Sequence, residues 1–102
     1  MLITTFQTMN DATKAIRELL NERLIACANI IPAIKSLYWW NDQITEEQEV
    51  IVFMKTRKEL EKKAMEKLES IHPYEVPAIY AIESTKEITT PYLQWIFNET
   101  KS

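Results

Sequence analysis

A chain of 102 residues, 46% hydrophobic and 26% charged, has the make-up of one globular domain, and its net charge of −3 argues against nucleic acid or an anionic membrane as a partner. It holds no glycine, which excludes Walker A loops, GxGxxG turns, GxSxG elbows and EF-hand loops; its one histidine and one cysteine exclude HExxH, a self-contained zinc site and an internal disulfide. No uncharged stretch is longer than Leu24 to Ile34, which is too short to span a bilayer.

Leu2 to Phe6 is apolar and β-branched and reads as a strand. Asn10 is placed to cap a helix over 11–23, with Asp11 in its first turn. Ala12, Ala15, Ile16, Leu19 and Leu20 form one apolar stripe along it. Residues 26–40 read as one long strand interrupted at Pro32, where a missing N–H marks an edge or bulge. Asn41-Asp42 is the turn, and Ile44 to Lys55 is the returning strand. Thr56-Arg57-Lys58-Glu59 has the spacing of a capping box with Thr56 as N-cap. Leu60, Ala64, Leu68 and Ile71 follow with helical spacing, and Pro73 stops that helix. Val76 to Glu83 is a fourth strand. Thr90-Pro91 opens a last helix whose Leu93, Ile96 and Phe97 face inward.

This order predicts an α+β fold: a ferredoxin-like βαββαβ sandwich with a long hairpin between its second and third strands and an extra C-terminal helix, all in one domain over 1–102. The hairpin is too long for its domain. A globule of this length is roughly 33 Å across, whereas a strand of about fifteen residues spans roughly 50 Å. Its far end carries Leu37, Tyr38, Trp39 and Trp40, an aggregation hazard in a lone chain. The expected solution is a homo-oligomer built by strand pairing between copies, with Tyr38, Trp39 and Trp40 in the interface.

Five segments carry a resemblance to a known family. They are Ala26-Cys27-Ala28-Asn29-Ile30, Ser36-Leu37-Tyr38-Trp39-Trp40, Glu49-Val50 running to Lys55-Thr56, His72-Pro73-Tyr74-Glu75-Val76-Pro77 and Tyr92-Leu93-Gln94-Trp95-Ile96. Together they resemble the CutA family of divalent-cation tolerance proteins, in register over nearly the whole chain. The resemblance implies a homotrimer that acts in tolerance or response to divalent metal ions, copper in particular, by binding or signalling without enzymatic turnover. It implies an architecture like the PII signalling proteins, hence the alternative of a small-ligand-binding signalling trimer. A small enzyme on the same fold is the remaining alternative. Where the family has glycines, in the hairpin turn and before the last helix, this chain has Asn41-Asp42-Gln43 and Ile88-Thr89-Thr90. The ligands proposed in the family include a first-strand cysteine and a histidine just before the proline of the HPY motif. Here Phe6-Gln7-Thr8 offers no thiol, and His72 stays as the one metal candidate. No cofactor is required on this reading, and copper binding is expected to be micromolar or weaker.

The residues leave several roles open. His72 is a metal ligand, a titrating switch or a cap on the second helix. Cys27 is a metal or redox thiol or an inert core residue. Lys55, Tyr74, Glu75 and Trp95, all in the family-like motifs, are expected to meet at one end of the sheet. They form a small-ligand pocket or an ion pair that pins the strand ends. Asp42, Glu46, Glu47 and Glu49 are read as a solvated acidic cluster, and Lys55 to Lys67 as a solvated helix face. An acylphosphatase would need an arginine in a glycine-bearing anion loop, and Arg17, Arg23 and Arg57 lie in none. An RNA-binding sheet would need aromatic and basic residues at alternate positions of the third strand, where only Phe53 qualifies. The lone cysteine and the absence of a basic leader ahead of the first apolar run predict a cytoplasmic protein.

Overall fold

The computed structural model describes residues 1–83 and 87–101. In chain order the elements are β1 (Leu2–Phe6), α1 (Met9–Asn21), β2 (Cys27–Trp40), β3 (Gln43–Lys55), α2 (Lys58–Ile71), β4 (Ile79–Ala81) and α3 (Thr90–Glu99). The four strands form one sheet in the order β2-β3-β1-β4, and every pair is antiparallel. This is the expected ferredoxin-like plan with a third helix added.

The core lies between one face of the sheet and the stripes of α1 and α2. Leu2 and Phe6 of β1 and Val50, Val52 and Met54 of β3 meet Ala12, Ala15, Ile16 and Leu19 of α1 and Leu60, Ala64 and Leu68 of α2. Strand alternation then sends Ile3, Thr5, Ile51, Phe53 and Lys55 to the opposite face, away from α1 and α2. The hairpin overhangs the two helices, and the molecule extends 45 Å along its longest axis against 26 and 21 Å along the others.

Local chemistry explains the boundaries, and four of them differ from expectation. α1 is capped by Thr8, whose Oγ1 accepts the Asp11 N–H at 3.1 Å, and not by Asn10. Starting two residues earlier puts Asp11 at the third helical position, facing the positive end of the helix. α2 is capped at Arg57 without a side-chain bond, because Thr56 Oγ1 donates instead to Leu24 O at 2.6 Å. β4 is only three residues, since Val76 to Ala78 precede its pairing with Leu2–Thr4 and Pro77 has no N–H to offer. α3 is capped at Thr89, and of its three expected inward residues only Ile96 is buried; Leu93 and Phe97 remain exposed.

α3 is held mainly by polar contacts. Arg57 Nη2 donates to Phe97 O at 2.7 Å and Thr100 O at 3.1 Å, and its Nε donates to Thr100 Oγ1 at 2.9 Å. The guanidinium also lies 4.7 Å from the centre of the Phe97 ring. These bonds engage carbonyls at the helix end that have no partner within the helix.

The glycine-free chain puts other residues where glycine is usual. Arg23 has φ 57° and closes α1: its N–H donates to Leu20 O, and the Leu24 N–H donates to Leu19 O. That is the Schellman pattern with arginine in the glycine position. In the hairpin, Asn41 (φ 50°) and Asp42 (φ 61°) form the two-residue turn, and Ala33 has φ 60° at a bulge in β2.

Candidate functional site

α2 ends at His72, whose backbone N–H donates to Leu68 O at 2.8 Å, and Pro73 prevents continuation. The ring turns away from the helix into the sheet, where it stacks on Phe6 with centroids 4.3 Å apart. His72 is 8% exposed. Its Nδ1 accepts the Tyr74 N–H at 3.1 Å, so the proton sits on Nε2, which donates to Thr5 O at 2.8 Å. Burial lowers its pKa, opposed by the Thr5 carbonyl and by Asp11 and Glu49.

From the same turn, the Tyr74 hydroxyl donates to Glu49 Oε2 at 2.6 Å. Glu49 is 6% exposed, which corrects its assignment to a solvated acidic cluster. Burial, followed by the hydrogen bond to Glu49, pushes the Tyr74 pKa well above the usual range. Along the hairpin, Tyr38 is raised by its hydrogen bond to Glu47. Two phenols thus serve two carboxylates on one side of β3.

A second group lies at the C-terminal end of β3. Cys27 pairs in register with Lys55, and the Lys55 ammonium donates to Asn29 Oδ1. Cys27 Sγ and the Tyr92 hydroxyl share a hydrogen bond at 3.4 Å, which pushes the Tyr92 pKa up to about 12. Tyr92 stacks on Trp95 with ring centroids 5.8 Å apart.

The expected meeting of Lys55, Tyr74, Glu75 and Trp95 is therefore not found within one chain. β3 and β4 both run antiparallel to β1, so they are parallel to each other, and the start of β4 cannot lie beside the end of β3. Lys55 and Glu49 are six residues apart along one strand, about 20 Å. Trp95 is on the Lys55 side through Tyr92, Tyr74 is on the Glu49 side, and Glu75 is exposed beside it. Tyr38, Trp39 and Trp40 are all exposed on the overhanging hairpin.

Among the described residues no three His, Cys, Asp or Glu side chains converge as a metal-holding group. His72 and Cys27 stand at opposite ends of the sheet, and both imidazole nitrogens are bound to main chain. Glu49 and Tyr92 were missed by sequence reasoning. The alternation Glu49, Ile51, Phe53 was the available sign that Glu49 shares a face with apolar residues. Nothing local linked Cys27 to Tyr92.

No helix among the described residues is long and apolar enough to cross a membrane. The family described as CutA1 divalent ion tolerance protein matches residues 1–99. The divalent-cation tolerance protein CutA of Pyrococcus horikoshii is 41% identical over 101 residues, covering 99% of this chain and 97% of that protein. The crystal structure of Pyrococcus horikoshii CutA1 is similar with a TM-score of 0.93 at 40% identity, covering 99% of this chain and 97% of that one. The structure of the periplasmic divalent cation tolerance protein CutA from Archaeoglobus fulgidus gives 0.92 at 30% identity, covering 98% and 96%. With a family match along nearly its full length and the same fold as solved relatives, the chain belongs to the CutA family of divalent-ion tolerance proteins.

Proposed function

We propose that this chain acts as a homotrimer in tolerance or response to divalent metal ions, copper among them, by binding or signalling and not by turnover. The observation that carries the tolerance reading is the family match over residues 1–99. The trimer reading is supported by the overhanging hairpin, with Leu37, Trp39 and Ile44 63–71% exposed, and by β2 lying at the edge of the sheet. The non-catalytic reading is supported by the pairing of Cys27 with Tyr92 in place of an imidazole base.

Copper enters this reading as a weak ligand. His72 would have to release Tyr74 N–H or Thr5 O before a ring nitrogen could bind, with Glu75 the adjacent carboxylate. That cost supports micromolar or weaker affinity. A small-ligand role is supported by the group formed by Lys55, Asn29, Cys27, Tyr92 and Trp95, which brings an ammonium, a thiol and a stacked aromatic pair together. A cytoplasmic location is part of the proposal. Cell fractionation checks it, since the Archaeoglobus fulgidus relative is named periplasmic.

The test has two arms. Light scattering should give about three times the 12.0 kDa chain mass. Expression in bacteria deleted for their own family member should restore growth in copper or another divalent ion. A folded, well-expressed protein that leaves growth unchanged across a panel of divalent ions overturns the tolerance reading. A single-chain mass at micromolar concentration overturns the trimer.

A further inference from the structure

The three helices are not held alike. α1 buries Ala12, Ala15, Ile16 and Leu19, and α2 buries Leu60, Ala64 and Leu68, all within one core cluster. α3 buries only Ile96, which is separate from that cluster. Its Tyr92, Leu93, Trp95 and Phe97 are 36–40% exposed. A helix with so little buried apolar surface opens more readily than the elements around it.

Polar ties hold α3 instead, and they sit at its C-terminal end. Besides the three bonds from Arg57, Arg23 Nη1 donates to Glu99 Oε2 at 2.9 Å and to Glu99 O at 3.3 Å, and the Lys101 N–H donates to Arg23 O at 3.0 Å. Both arginines stand on fixed structure, since Arg23 closes α1 and Arg57 caps the start of α2. The N-terminal half meets the sheet elsewhere. There the Tyr92 hydroxyl reaches Cys27 Sγ, and Trp95 stacks beside Tyr92. Cys27 pairs with Lys55, whose ammonium donates to Asn29. Tyr92 and Thr100 are eight residues apart, roughly 12 Å along the helix. The ties and the thiol contact thus lie toward opposite ends of one rod.

We infer that α3 is a lid over the Lys55–Asn29–Cys27 group, latched by Arg23 and Arg57: release of the latch lifts Tyr92 off Cys27 and opens the group to solvent. This rests on the small-ligand reading of that group, for which it supplies the entry route. At 3.4 Å the Cys27 sulfur and the Tyr92 hydroxyl are in contact, so nothing enters between them until α3 moves. Closure carries Tyr92 and Trp95 back together, and the same motion rebuilds the aromatic side of the group.

The experiment uses Cys27, the one thiol of the chain, as the reporter of opening. A bulky aromatic disulfide reagent is added to ligand-free wild type, Arg57→Ala and Thr100→Val. The Cys27 thiolate attacks the S–S bond of the reagent, and the thiolate released is read by absorbance. Amide exchange follows α3, and light scattering follows assembly in the same samples. Wild type should react at least about tenfold more slowly than the urea-unfolded chain. Arg57→Ala should react about tenfold or more faster than wild type, with α3 exchange rising in parallel. Loss of a nearby cation would by itself raise the thiol pKa and slow the reaction, so acceleration reads opening. Thr100→Val removes the acceptor of Arg57 Nε and should act in the same direction; it decides if Arg57→Ala fails to fold. An unchanged Cys27 rate with α3 exchange raised, a wild-type rate equal to that of the unfolded chain, or acceleration only where assembly is lost overturns the lid. Failure of the small-ligand reading looks different: the thiol responds to Arg57→Ala as stated, yet no member of a panel of carboxylates and phosphate esters slows its reaction. That result upholds the lid motion and removes only its ligand.

Discussion

The Tyr74 hydroxyl donates to Glu49 Oε2 at 2.6 Å and joins the turn after α2 to the middle of β3. Glu49 is the one buried carboxylate among the described residues, and this phenol is its partner. Removing the donor leaves a buried charge short of a hydrogen bond. Tyr74→Phe should therefore cost about 1–3 kcal/mol, read by urea denaturation. An unchanged denaturation midpoint would mean that Glu49 is solvated.

Tyr74 also sets an alkaline limit. Its pKa is raised in the folded chain, first by burial and then by Glu49. The unfolded tyrosine ionises near 10. The folded state therefore holds the proton more tightly, and this contribution is complete below about pH 10 and is lost as pH rises above it. Unfolding free energy should fall above that pH, and the fall should be smaller in Tyr74→Phe. The same slope in both proteins would assign the loss to other groups.

His72 sets the acid side. Burial lowers its pKa, so the unfolded chain takes up a proton near 6.5 before the folded chain does. The contribution is complete above about pH 6.5 and is lost as pH falls toward the lower folded value. Protonation turns Nδ1 into a donor facing the Tyr74 N–H, which removes the bond between them. The stability of wild type should decline in this window, and His72→Phe should lack that component. NMR titration of the imidazole at or above 6.5 would contradict the burial argument.

Thr4 is fully buried, and its Oγ1 has no hydrogen-bond partner. Its neighbours in the core ask for a methyl group at that position. Thr4→Val should stabilise the chain by about 1 kcal/mol, seen as a higher thermal midpoint. A lower midpoint would mean that the hydroxyl has a partner.

Arg57 is the main polar tie on α3, with three hydrogen bonds to Phe97 and Thr100. Arg57→Ala should cost about 1.5–3 kcal/mol, as for other hydrogen bonds to charged groups. The loss should be local. Amide exchange should rise in α3 while β1 and β3 keep their protection. Uniform loss of protection would instead make α3 part of the main cooperative unit.

The sequence alone determined the features that depend on neighbouring residues. The Leu2–Phe6 strand, the apolar stripes of α1 and α2, the stop at Pro73 and the Asn41-Asp42 turn follow from side-chain spacing and backbone preference. The five family-like segments also identified the family from sequence, because they preserve those local choices in register. Tertiary structure decided which of two competent groups won. Thr8 and Asn10 can both cap a helix, and Thr56 can cap one or bond elsewhere. For Thr56 the choice turned on a distant partner, Leu24 O. It also decided where the candidate site residues went. Lys55 and Tyr74 read as neighbours along a list of motifs, yet the antiparallel pairing of β1 with both β3 and β4 sends them to opposite ends of the sheet. The burial of Glu49 and the tautomer of His72 have the same origin. Each depends on strand register, and register is set by contacts between residues far apart in the chain, which local spacing does not encode.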